Sequence, residues 1–167
     1  MGAYEAFDRM ATLVDYPMYV VTAAAADDGE RAGCLVGFAG QCSIDPPRFL
    51  VCLSTRNRTY RVAQRSDVLA VHLLAADDHD NAELFGGETG DEIDKFARCR
   101  WEPGLAGMPV LLDAVGWFAG RVLERIDLGD HVGHLLAPLA DTGRPPAREV
   151  AVLTFHAART VSPGHPA

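Results

Sequence analysis

The sequence is short of positive charge. Against 15 Lys and Arg stand 23 Asp and Glu, for a formal net charge of -8 over 167 residues. Nucleic-acid binding rests on clustered Lys and Arg at phosphates, so this balance argues against a nucleic-acid partner. It argues equally against an anionic membrane surface. Long apolar runs are also missing: none approaches the roughly 18–20 residues that span a bilayer. Residues 1–8 carry Glu5 and Asp8 and lack a basic stretch followed by an apolar one, so no secretory signal is expected.

No cysteine pair has metal-ribbon or thioredoxin spacing. Cys34, Cys42, Cys52 and Cys99 are scattered, and three sit in apolar runs. They read as reduced, small hydrophobes, which points to a cytoplasmic location. The motifs of P-loop, dinucleotide-binding, serine-hydrolase and zinc-protease sites do not occur. The close pair His131 and His134 lies three apart on an apparent strand, where side chains face opposite sides, so no metal site is expected.

About half the residues are apolar and 23% are charged, as in an ordinary globular domain. Residues 4–14 have a helical apolar period and read as an amphipathic N-terminal helix (1–15). Strands are expected over 18–26, 32–42, 48–53, 67–75, 110–127, 131–140 and 149–155. Asp28-Gly29 marks a hairpin turn. Gly33, Gly37 and Gly40 mark the second strand as bent. Helices are expected over 57–65 and over 77–85, the latter with Asp77 as N-cap. The acidic stretch 88–94 reads as a solvated loop, and residues 157–167 as a flexible tail. The strands do not alternate with helices, which favours a mainly antiparallel β (α+β) barrel over a doubly wound sheet.

The densest polar stretch is Ser54-Thr55-Arg56-Asn57-Arg58-Thr59, between an apolar strand and a helix. Hydroxyls, two arginines and a helix start suit a phosphate; a capped helix with solvated arginines accounts for the same residues. The bent strand has few polar side chains, so a ligand there meets main-chain groups or the strand is simply buried.

An ordered set of residues resembles one family. It comprises Pro17–Thr22, Arg31-Ala32-Gly33-Cys34, Ser43-Ile44-Asp45-Pro46-Pro47, Val51-Cys52-Leu53-Ser54, Asn57-Arg58-Thr59, Asp94-Lys95-Phe96 and Gly129-Asp130-His131. Spread over most of residues 16–156, it is similar to the flavin reductase-like domains of the FMN-binding split barrels. The resemblance implies a six-stranded antiparallel Greek-key split barrel with short peripheral helices, working as a homodimer. It implies an oxidoreductase that moves a hydride from NADH or NADPH to FMN or FAD, for use by a partner monooxygenase. Carried over residue by residue, Cys34, Leu35, Val36, Gly37, Phe38, Gly40 and Gln41 would face the flavin. Ser54, Asn57, Arg58 and Thr59 would hold its phosphate, with Lys95 nearby and His131 beside the nicotinamide as the catalytic residue. Many members place Ser or Thr where this chain has residues 35–40 without a hydroxyl. That departure keeps two further readings open: a flavin-binding carrier or sensor without turnover, and a deazaflavin-dependent oxidoreductase.

Overall fold

Apolar residues at both parities of a strand require cover on both faces of the sheet. The first strand has this property, and in the computed structural model of the chain, which describes residues 2–164, both its faces are buried. Along β1 (Tyr19–Ala24), Val21 and Ala23 enter one core cluster and Val20 a second. β2 (Arg31–Val36) returns antiparallel through the turn at Asp28-Gly29, where Gly29 adopts a left-handed φ of 73°. β3 (Ala39–Ser43) and β4 (Arg48–Ser54) form the next hairpin, around the turn with a cis Asp45–Pro46 bond. β5 (Val68–Leu73), β8 (Gly116–Asp127) and β9 (His131–Arg144) complete a seven-stranded sheet in the order β2-β1-β5-β8-β9-β4-β3, with every pairing antiparallel. β6 (Trp101–Pro103) and β7 (Pro109–Leu111) make a separate two-stranded ribbon.

The large sheet curls. Cys34 and Val36 from the β2 edge and Ala39 from the β3 edge join the same cluster as Val51, Leu53, Leu69, Val71 and Leu136. Val62 and Ala63 of α2 (Arg58–Ala63) add to it. The second cluster fills the space between the other face of β1 and α3 (His79–Gly87), through Val20, Leu74, Leu84, Phe85, Phe96 and Leu153. Each large side chain fully buried in this way contributes about 1.5–3 kcal/mol. α1 (Ala3–Leu13) buries no residue, although Tyr4, Phe7, Met10 and Leu13 follow the helical period.

Four expectations need correction. The sheet has seven strands, not six: the bent strand expected over 32–42 is two, because at Gly37-Phe38 the chain leaves β1 and crosses to pair with β4. The strand expected over 110–127 is interrupted at 112–115, where Leu111 carbonyl accepts from Ala114 and the chain turns from β7 into β8. The strand expected over 149–155 makes only two isolated bridges, Pro17 to Thr154 and Ala75 to Val152. It lies across the ends of β1 and β5 and then enters α4 (Phe155–Ala158). The N-cap of α3 is Asp78, whose carboxylate accepts from Asn81 amide, and not Asp77. Between α3 and β7 the chain forms β6 and two short 3-10 turns.

Of the tail expected over 157–167, residues 165–167 lie outside the described residues. Gly164 amide donates to Gly86 carbonyl (3.3 Å) at the end of α3. No helix among the described residues is long and apolar enough to cross a membrane.

Candidate functional site

β2 runs along two depressions that meet at Asn57. The first is an apolar slot of about 260 Å³, walled by Cys34 to Phe38, Met18, Leu53 and the ring of Tyr16. Tyr16 stacks on Phe155 at 4.9 Å, nearly parallel, which holds the slot's outer wall. Gly37 is required here: a Cβ on it would lie 2.8 Å from the Tyr16 ring and 3.1 Å from Met18 sulfur. At the mouth Phe38 stands 60% exposed, so its ring is available to a ligand. Its centroid lies 5.2 Å from that of His131. His131 Nδ1 is 2.6 Å from Asp130 Oδ1, which fixes the ring and holds the Asp130 carboxyl below its ordinary range. Asp130 is itself tied to the end of β4, since its carbonyl accepts from the backbone (3.0 Å) and hydroxyl (3.2 Å) of Thr55.

The second depression, about 330 Å³, is polar. Arg31, Asn57, Arg58, Thr59 and Lys95 face Asp91, Glu92 and Asp94 across it. Asn57 caps α2, its side-chain oxygen accepting from Thr59 amide at 3.0 Å. Arg58 donates through Nη1 to Gly90 carbonyl and pairs through Nη2 with Glu30 (2.9 Å). Arg61 pairs with Asp91, so two arginines of α2 strap the acidic loop over the polar end. Arg58 Nε is buried and has no hydrogen-bond partner among the described residues.

Lys95 is 5% exposed, an unusual burial for an ammonium. It donates to the carbonyls of Gly33 (3.1 Å) and Phe85 (3.2 Å), joining β2 to α3 within the wall of the polar end. Burial lowers its pKa, and the nearby Glu88 carboxylate opposes that shift. Cys34 is buried too, which raises its thiol pKa.

Eleven of the thirteen residues singled out in the sequence line these two depressions: Cys34, Leu35, Val36, Gly37, Phe38, Ser54, Asn57, Arg58, Thr59, Lys95 and His131. Gly40 and Gln41 do not. They lie past the crossing at residues 37–38, on β3 opposite Leu50 and Phe49, and Gln41 amide turns to Ser43 carbonyl. His134 faces the other way from His131: it is fully buried, with Nδ1 on Val132 carbonyl and no hydrogen-bond partner for Nε2 among the described residues. Sequence reading missed Tyr16, Phe155 and the loop 90–94, which reach the site only through the tertiary fold.

An apolar slot beside a polar depression that holds the Arg58 guanidinium, the two sharing Asn57, suits an apolar ring joined to a phosphate. Residues 10–137 match the flavin reductase like domain, and the chain belongs to that family. It is 35% identical to FMN reductase (NADH) RutF of Yersinia enterocolitica over 101 residues, 60% of this chain and 55% of that protein. The chain thus spans little more than half the length of such curated relatives. Its fold is shared with the NADH:FAD oxidoreductase SgcE6 of Streptomyces globisporus (TM-score 0.80, 20% identity, covering 94% of this chain and 90% of that one). It is shared also with component B of nitrilotriacetate monooxygenase from Mycobacterium thermoresistibile (TM-score 0.78, 22% identity, 93% and 83%).

Proposed function

We propose that the chain is an NAD(P)H-dependent flavin reductase, its flavin ring in the apolar slot and the flavin phosphate at the polar end. The observation that carries this reading is the adjacency of the two depressions along β2, which share Asn57, one apolar and the other bearing the half-used guanidinium of Arg58. Bound flavin supplies a two-electron acceptor for a hydride delivered by reduced nicotinamide.

The protein's share is binding and orientation. Leu35, Val36 and Gly37 offer main-chain groups and a flat wall. Ser54, Asn57, Arg58 and Thr59 hold the phosphate. Lys95 acts from the wall by keeping β2 and α3 together. Phe38 and His131 flank the mouth and position the nicotinamide, with Asp130 fixing the imidazole. Such a role predicts that His131→Ala slows flavin-dependent NADH oxidation by about tenfold or more, while flavin affinity changes by less than about threefold. Steady-state turnover measured beside a flavin fluorescence titration checks both numbers. Unchanged turnover would remove His131 from the mechanism.

The same reading carries several finer assignments. The curled sheet is taken as the family's split barrel within residues 16–156. The working unit is a homodimer in a reducing cytoplasm, and reduced flavin goes to a monooxygenase partner. FMN and FAD, and NADH and NADPH, are both admitted.

A second reading, a flavin-binding carrier or sensor without turnover, is favoured by one observation. The slot wall at Leu35, Val36, Gly37 and Phe38 carries no hydroxyl to grip the ring. Saturable flavin binding with no NADH oxidation would select it.

A further inference from the structure

Arginine grips a phosphate best with two parallel N–H groups, and Nε with Nη2 forms one such edge. In Arg58 that edge is only half used. Nη2 meets Glu30 Oε1 at 2.9 Å, while Nε is buried without a hydrogen-bond partner among the described residues. Glu30 has no second oxygen to give, because Oε2 is bound by Arg65 Nη2. Arg65 in turn is held by Asp27 (2.7 Å) and Asp28 (3.2 Å), which fixes the turn that carries Glu30. The carboxylate is therefore shared between two arginines and cannot form the two-point grip. A phosphate, with three oxygens, can fill both positions at once. The side chains of Arg58 and Glu30 are each about a third exposed, 32% and 33%, while Nε itself is buried, so an incoming anion must displace Glu30 to meet the edge formed by Nε and Nη2.

We infer that Glu30 is a built-in counter-ion that competes with the ligand phosphate for Arg58 and thereby sets how tightly the site holds a phosphorylated flavin. This inference rests on the flavin reading of the site. While no phosphate is present, Glu30 neutralises Arg58 and helps hold the guanidinium against Gly90, keeping the acidic loop in place. A phosphate must displace a carboxylate and then sit near it, and both effects weaken binding. Glu30 is thus a specificity-determining residue that acts through Arg58. It lowers the advantage of FMN over riboflavin, which has the same ring and no phosphate.

The test compares FMN and riboflavin affinities, read by flavin fluorescence, in the wild-type chain, Glu30→Gln, Arg58→Ala and the double variant. Glu30→Gln is expected to tighten FMN by about two- to fivefold, the range of a partly exposed ion pair, and to leave riboflavin unchanged. In the Arg58→Ala background the Glu30→Gln gain should shrink to what the removed negative charge alone supplies, well below the gain in the wild-type background. An unchanged or weaker FMN affinity in Glu30→Gln overturns the inference, and so does an equal shift for riboflavin, which marks a general change in the slot. If the wild-type chain binds neither flavin, the flavin reading itself fails. The inference is then decided with inorganic phosphate, whose protection against thermal unfolding should increase in Glu30→Gln. No increase overturns it.

Discussion

Between pH 6.5 and pH 4 the folded chain is expected to lose about 3 kcal/mol of stability, mostly through His72. This imidazole is fully buried. Nδ1 donates to Val20 carbonyl (2.9 Å) and Nε2 accepts from Leu111 amide (3.1 Å), so the ring must be neutral to make both bonds. Burial, with Arg144 adding to it, brings its pKa down from 6.5 to about 4. At neutral pH neither folded nor unfolded His72 is protonated, and no penalty arises. As pH falls below 6.5 the unfolded chain takes up a proton that the folded chain refuses until about pH 4, so stability declines through that window. A gap of about 2.5 units corresponds to about 3 kcal/mol.

His134, also buried with a lowered pKa, acts in the same direction. The carboxyls of Asp15, Asp28, Asp113 and Asp130 are held below 3.8, so what they contribute is lost only at still lower pH. His72→Leu should cost about 2–5 kcal/mol at pH 7, because Val20 carbonyl and Leu111 amide lose their partner. It should also flatten the loss between pH 6.5 and pH 4. Chemical denaturation across that range measures both. A variant that keeps the full acid slope would place the proton elsewhere.

Arg58→Ala should weaken FMN binding by about ten- to a hundredfold, since a hydrogen bond to a charged group is worth about 1.5–3 kcal/mol and Arg58 must first leave Glu30. Riboflavin binding should change far less, because the slot walls remain. The same substitution removes the tie from α2 to Gly90 carbonyl, leaving Arg61 with Asp91 as the remaining strap. Equal weakening of both flavins would mean that Arg58 supports the slot as a whole and does not meet a phosphate. Parallel fluorescence titrations separate the two outcomes.

Much of this arrangement is legible along the chain because its signals are local. Asp28-Gly29 supplies a left-handed turn residue, and the apolar run 48–53 reads as a strand, as it is. Asn57 precedes an apolar helical face and caps it. The misses share one cause, dependence on a partner surface. The segment 149–155 has a strand-like pattern, yet it crosses the ends of two strands. Leu153 carbonyl accepts from Met18 while Leu153 amide donates to Leu74, so bridges form where a ladder would need one continuous edge. Gly37 and Gly40 announced a bend in the strand. That the chain changes partner between them, carrying Gly40 and Gln41 away from the slot, depends on β4 and β1 being far apart in the sheet order. The acidic loop looked like a solvated rim because its arginine partners lie about thirty residues earlier.

The central claim is that this one groove binds flavin and exposes it to reduced nicotinamide. The most direct measurement is NADH oxidation by the purified chain with FMN, FAD or no flavin, repeated with NADPH. Saturable, flavin-dependent oxidation that falls in both His131→Ala and Arg58→Ala is the predicted result. No oxidation with any combination of flavin and nicotinamide would contradict the reductase account and leave the groove as a binding site without turnover.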